Sequence, residues 1–374
     1  MKYLGAIRDP RAARALMDRI RDSMTRPWAV LDICGGQVHN LMRLGTDCPF
    51  PDGLEVLHGP ACPVSATPAS VIDRALASAA RPGTIVGTTG DLLRAPGGRG
   101  RGTLLAARER GADVREMYSP LDGLALARKE PHRTVVVLAA GFETTAPAAA
   151  AAVLEAARLG LHNLSFQTSF FRLASAVEAI LSAPGNRARA VLASGPVCAV
   201  TGLQGFEPLA ERFRVPVVVT GPEPVDLLEA LARAVDQLER GTHAVENQYV
   251  RAVRPDGHPQ AIAAIASVFE PCDADWRGLG LLPGSGLALR ERFRRFDASA
   301  GISPFAGPFP PASVECRDGD VLAGRLKPSS CPAFGSRCTP DHPLGAAMVS
   351  AEGTCAAYHR YRPAPPELVA TPGP

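Results

Sequence analysis

The sequence has no G-x-x-x-x-G-K-[ST] loop and no H-E-x-x-H pair, so it offers neither a P-loop phosphate cradle nor that zinc site. Fragments such as LPGSGLAL (282–289) are too loose to stand for a nucleotide site, and nothing points to phosphoryl transfer. Long apolar runs are missing as well. The most apolar stretch, VVVLAAGF (135–142), falls far short of the roughly 18 residues that a membrane span needs. The N-terminal MKYLGAIRDPRAARALMDRI has no apolar core, which argues against a secretory signal and for a cytoplasmic protein. Charge of one sign is scarce too. A formal net charge of +3, with no Lys/Arg stripe interleaved with aromatics, speaks against a nucleic-acid partner. The basic RERFRRF (290–296) reads as a solvated helix face.

What is present is ample core. The 374 residues are 46% hydrophobic and 21% charged, enough for two or three ordered domains. An early helix is expected at Pro10–Asp22, with Ala13, Leu16, Met17 and Ile20 on one face. Then short apolar runs end in Gly/Thr/Pro turns and helix-period segments follow. The runs are WAVLDI (28–33), GTIVGTT (83–89), TVVVLAA (134–140), RAVLAS (189–194) and VPVVVT (215–220). An Ala-rich helix is expected through about Leu159 and another over Val225–Arg240. Uninterrupted apolar strands alternating with helices predict parallel sheets covered on both faces.

A helix-rich linker near 119–133 separates two such groups, which predicts a first α/β domain over 1–118 and a second over 119–297. The stretch 241–297 is open to packing back on the first. After residue 297 the texture turns to GISPFAGPFPPASVEC, marking a third, cysteine-rich domain over 298–362. The tail from 363, with PAPPELVATPGP, reads as disordered.

Four cysteines fall in that third segment, Cys316, Cys331, Cys338 and Cys355, spaced C-x14-C-x6-C-x16-C. Nine cysteines spread evenly over 374 residues would put about one in any 40-residue window, so the crowding needs a cause. Four thiolates suit an iron–sulfur cluster or a tetrahedral zinc, and in a reducing compartment metal outranks disulfides.

Further candidates sit where apolar runs end, on the ligand side of an open α/β sheet. Cys34 follows a strand and precedes Gly35-Gly36, so backbone can approach a ligand closely. A helix starting near Val38 would put backbone N–H groups beside its thiolate; the alternative is a buried cysteine at a strand end. Cys62, between Pro60 and Pro63, is held in a defined turn. His39 is a possible ligand or proton shuttle, or a satisfied structural histidine. In GFETTAP (141–147), capping by Thr145 and Pro147 accounts for two residues and leaves Glu143 to face a site. NQYVRAV (247–253) reads first as helix-surface filler, and Cys48, Cys198 and Cys272 as packing.

Taken in order, CGGxxH, GPxCP, GFETTAP, NQYVRAV, CPxFGxxCTP and MVSAEGTCAAY resemble the HypD family of [NiFe]-hydrogenase maturation factors, over about residues 28–361. The resemblance implies an α/β fold of two doubly wound parallel-sheet domains plus a small C-terminal iron–sulfur domain. It implies a [4Fe–4S] cluster on Cys316, Cys331, Cys338 and Cys355, and a part in building the Fe(CN)2CO unit. Expected partners are a small HypC-type chaperone and a HypE-type protein that carries cyanide as a thiocyanate. Cys34 and Cys62 would bind the transient iron intermediate, with His39 and Glu143 shaping its surroundings. A Cys-x-x-Cys pair would exchange electrons with the cluster.

The chain departs from that pattern. Gln37 stands for the first histidine of CGGHTH, Ala61 for a glycine, and Ser65 for the second cysteine of GPGCPVC. Asp318 stands for the second cysteine of CxCG, and Ala347 for a cysteine before MVS. Serine forms no disulfide, so a Cys62–Ser65 couple is impossible. Two alternatives follow: a paralogue acting as an assembly scaffold for another target, and a structural zinc on the four C-terminal thiols. Whether the activity is enzymatic stays open.

Overall fold

The computed structural model describes residues 4–47, 50–98, 101–299 and 315–361. Cys48 and the tail from 363 lie outside the described residues, as does most of the Pro/Gly-rich stretch after 299.

Eleven described strands run in chain order as β1 (Trp28–Asp32), β2 (Leu54–His58), β3 (Thr84–Thr88), β4 (Val114–Glu116), β5 (Thr134–Gly141), β6 (Leu164–Phe171), β7 (Ala190–Ser194), β8 (Val217–Thr220), β9 (Val245–Asn247), β10 (Phe269–Trp276) and β11 (Gly280–Leu289). They form two sheets. The first, β2-β1-β7-β8-β9, is parallel throughout. The second, β10-β11-β6-β5-β3-β4, is parallel from β6 to β4 and closed at one edge by the antiparallel β10 and β11.

The apolar runs explain the layering. Alternate strand residues point to opposite faces, and here both faces are buried. Val30 and Leu192 meet the helices Pro10–Ser23 and Pro224–Arg240, while Leu31 and Val191 meet the helix Leu173–Ser182. In the second sheet Val135 and Val137 face one core, and Val136 and Leu138 the other. The early helix buries Ala13, Met17 and Ile20, as its pattern predicts.

Sheet membership does not follow a division of the chain at residue 118. β3 and β4 join the second sheet, and β7, β8 and β9 return to the first. The sheets are tied together by Phe142, Phe171 and Trp276. These three rings come from the second sheet and its connections, contact one another at 4.5–6.4 Å, and lie in the core of the first. The Trp276 indole N–H donates to Ser285 Oγ at 2.8 Å, so burial leaves it satisfied.

Residues 315–361 add short helices, Asp318–Leu322 and Thr354–Tyr361, joined by tight turns. They close a small core of Val321, Ala333, Cys338, Ala347, Met348, Cys355 and Ala356, with Cys331 partly buried against it.

Candidate functional site

In the first sheet the strand order reverses between β1 and β7, which opens a crevice at their carboxyl ends. Cys34 stands there, two residues past β1. The helix Gly35–Asp47 starts directly after it, three residues earlier than the sequence pattern predicts. The sulfur accepts from the backbone N–H groups of Gly36 and Gln37 and meets the Ser194 side chain at the end of β7. The expected thiolate stabilisation is nevertheless outweighed. Burial, helped by the Asp32 carboxyl, pushes the Cys34 thiol up to about 11, so the free protein holds it protonated.

Cys62 has a parallel setting at the start of the short helix Pro63–Ala66. Its sulfur accepts from the N–H groups of Val64 and Ser65 and meets the Ser350 side chain; burial raises this thiol too. The two cysteine loops are stitched together, because Gly35 N–H donates to Ala61 C=O at 2.8 Å. A third segment closes over both. A Cβ on Gly35 would lie 2.6 Å from Glu352 Cβ and 2.8 Å from Glu352 C=O, so only glycine admits this approach.

The helix Thr354–Tyr361 carries this closing segment and is anchored by two tyrosine–histidine contacts. Tyr361 OH lies 2.7 Å from His39 Nε2, and Tyr358 OH lies 3.1 Å from His58 Nε2. His58 Nδ1 faces Asp32 Oδ2 at 3.3 Å in a fully buried pair. Asp32 is the strand partner of His58 across β1 and β2, which is why the two meet. His39 therefore anchors the C-terminal helix through one nitrogen, while its buried Nδ1 has no partner among the described residues.

Glu143 is buried two residues past the end of β5. Its Oε1 accepts from Leu173 N–H at 3.0 Å, and burial raises its carboxyl to about 7. Beside it lies Cys198, which senses the charges of both Glu143 and Cys34. Cys198 packs in the core of the first sheet, as its sequence context predicts, yet it also neighbours the Cys34 site. Thr145 occupies the helix N-cap position without capping through its side chain; its hydroxyl donates to Phe142 C=O instead.

NQYVRAV is not surface filler. Gln248 is buried and joins Thr220, Asp226 and Glu229, and Arg251 clamps Asp226 with both guanidinium arms, one at 2.7 Å. This network braces the carboxyl ends of β8 and β9. Gln37 braces the same rim, with its amide N–H groups donating to Ala193 and Thr220 carbonyls at 3.2 and 2.9 Å. Its Oε1 has no partner among the described residues, and neither does the buried Ser65 Oγ.

The C-terminal cysteines are free thiols; Cys331, Cys338 and Cys355 meet at the small core, and Cys316 stands near enough for its charge to act on Cys355. Burial raises Cys355 well above its ordinary range, and Cys316, Cys338, Cys331 and Asp318 add to that rise. Leu344 N–H points at the Cys338 sulfur at 3.4 Å. Asp318 and Ala347, both departures from the family pattern, lie in this same place. Among the described residues, no three His, Cys, Asp or Glu side chains close on one point as a single metal ion requires. The sulfurs of a tetrahedral zinc stand about 4 Å apart.

The HypD family model, described as the hydrogenase formation hypA family, matches residues 11–362. The hydrogenase maturation factor HypD of Rhodobacter capsulatus is 40% identical, over 96% of this chain and 98% of its own. Its counterpart in Escherichia coli is 39% identical over 97% and 98%, and that of Cupriavidus necator 38% over 96% and 97%.

Proposed function

Because the chain belongs to the HypD family, we propose that it acts in [NiFe]-hydrogenase maturation as the scaffold on which the Fe(CN)2CO unit is assembled. Iron is the cargo here, and Cys34 is the residue that takes it. In the resting protein the Cys34 thiol is neutral; iron binding displaces its proton, and a cation beside the sulfur reverses the cost of burying a thiolate. The Asp32–His58 pair, with Asp32 two residues before Cys34, is placed to draw that proton off. Cys62 supplies a second sulfur from the adjoining loop. Glu143, whose carboxyl is raised by burial to about 7, would be suited to move a proton beside Cys198.

Four thiols and one carboxylate around the small core fit a [4Fe–4S] cluster on Cys316, Cys331, Cys338 and Cys355. When bound, the cluster supplies one electron at a time. The observation that carries the reading is the closing segment. Ser350 touches the Cys62 sulfur, Glu352 covers Gly35, and Cys355 belongs to the thiol set. Five residues of chain reach at most about 18 Å, so the two sites are neighbours. A HypC-type chaperone and a HypE-type cyanide carrier would dock over the crevice.

Ser65 favours a second reading. Its hydroxyl is buried without a partner where the pattern places the second thiol, so two-electron dithiol chemistry is lost at Cys62. The chain would then be a scaffold paralogue serving another metal site. Complementation separates the two. Expression in a strain lacking its own HypD restores hydrogenase activity on the first reading, and Cys34→Ala abolishes the rescue. No rescue by the wild-type chain, expressed at normal level, favours the second.

A further inference from the structure

We propose that Asp318 is a reserve ligand of the C-terminal cluster, standing behind Cys316 at one iron corner; this rests on the cluster reading above. Three observations meet at this corner. Asp318 Oδ2 is buried, and its side chain meets the Cys316 thiol, a weak partner for a carboxylate taken out of water. The oxygen is aimed at the thiols. A Cβ on Gly345 would clash with the Cys316 sulfur and stand 2.6 Å from Asp318 Oδ2, so sulfur and oxygen flank the same spot. Asp318 N–H also donates to the Cys316 sulfur, which fixes one beside the other.

The same corner opens onto a cavity. Cys338 and Cys355 are buried and Cys316 and Cys331 half-buried, and of the four Cys316, with Asp318, lines a cavity of about 340 Å³. The opposite wall of that cavity is the β10–β11 turn, with Trp276, Arg277 and Gly278. A small ligand in that cavity meets Cys316 and Asp318 directly. Were the Cys316 sulfur to leave a bound cluster and take a proton from water, the Asp318 carboxylate would be placed to hold that position, with no electron moved.

The test uses the full chain, reconstituted without oxygen with iron(II) and sulfide, in variants Cys331→Ala, Cys316→Ala, and Cys316→Ala combined with Asp318→Ala or Asp318→Asn. Iron, acid-labile sulfide and the rate of iron loss to a chelator are measured, with the electron paramagnetic resonance spectrum of the reduced protein. Cys331→Ala is expected to hold no cluster. Cys316→Ala is expected to keep its iron and sulfide with an altered spectrum, and to release iron about 10-fold faster than wild type. Both double variants should be empty, and an unchanged melting temperature for the Asp318→Asn double excludes misfolding as the reason. The proposal is overturned if Cys316→Ala is as empty as Cys331→Ala, or if the double variants match Cys316→Ala. A wild-type chain without iron and sulfide overturns the cluster reading along with it, a result distinct from either.

Discussion

Replacing Glu143 with Gln keeps the shape of the side chain and its acceptor for Leu173 N–H, and removes only the titration. In the folded chain this carboxyl loses its proton at about 7 rather than 4.5, chiefly because burial disfavours the anion. Between those values the folded state binds the proton and the unfolded state does not. Stability from this group is therefore complete below pH 4.5 and is lost as pH rises to about 7, then stays flat. At about 1.4 kcal/mol per pH unit, that window is worth about 3 kcal/mol. Urea unfolding of the metal-free chain at several pH values reads it directly. Glu143→Gln should gain on wild type by about 3 kcal/mol between pH 4 and pH 8, with nearly all the gain inside the window. A constant difference between the two proteins across that range would refute the reasoning, because the carboxyl would then ionise alike in both states.

Gly35→Ala forces a methyl group against Glu352 and the Ala61 carbonyl, and should cost about 1–3 kcal/mol in thermal or urea unfolding. Hydrogen exchange should rise first at Ser350–Cys355, the segment that lies over it; uniform protection would count against the packing described. Asp32→Asn removes the charge that adds to burial at Cys34, so the thiol falls from about 11 and alkylation at pH 8 should quicken about 10-fold. An unchanged alkylation rate would show that burial alone sets the thiol. Above pH 9 the wild-type chain should lose stability as thiols raised by burial, Cys34 among them, ionise more readily in the unfolded chain, and Cys34→Ala should make that limb shallower without abolishing it, since Cys62 and the C-terminal thiols are raised too.

Much of the scaffold is legible because its strands are continuous apolar runs bounded by turn residues. β1, β3, β5, β7 and β8 all fall where such runs stand, and the helices Ala146–Arg158 and Pro224–Arg240 follow them as the pattern requires. The missed strands have no such run. β2 carries Glu55 and His58, β6 alternates polar and apolar residues as LSFQTSFF, and β10 and β11 are interrupted by Pro, Gly and Asp. Which sheet a strand joins is a matter of long-range pairing, and nothing local sends β7 back beside β1.

The site divides in the same way. Cys34 and Cys62 stand out by their Gly and Pro neighbours, and Glu143 by what capping leaves over. The anchoring of His39 by Tyr361, and of Asp32 and His58 by Tyr358, spans about 300 residues and leaves no local signal. A polar cluster at 247–251 within an apolar context was the available cue to the Asp226–Gln248–Arg251 brace, but spacing alone could not tell a brace from an exposed face. Asp318 and Ala347 mark themselves only by departing from a motif, and the fold supplies what spacing could not, their position against the thiols.

The central claim, that Cys34 holds the assembling Fe(CN)2CO unit, is open to infrared spectroscopy. The chain would be isolated without oxygen from cells making a [NiFe]-hydrogenase. The account predicts cyanide and carbonyl stretching bands on iron in the wild-type protein and their loss in a folded Cys34→Ala variant. Bands of equal intensity in both proteins, or none in a wild-type chain that restores hydrogenase activity, would contradict it.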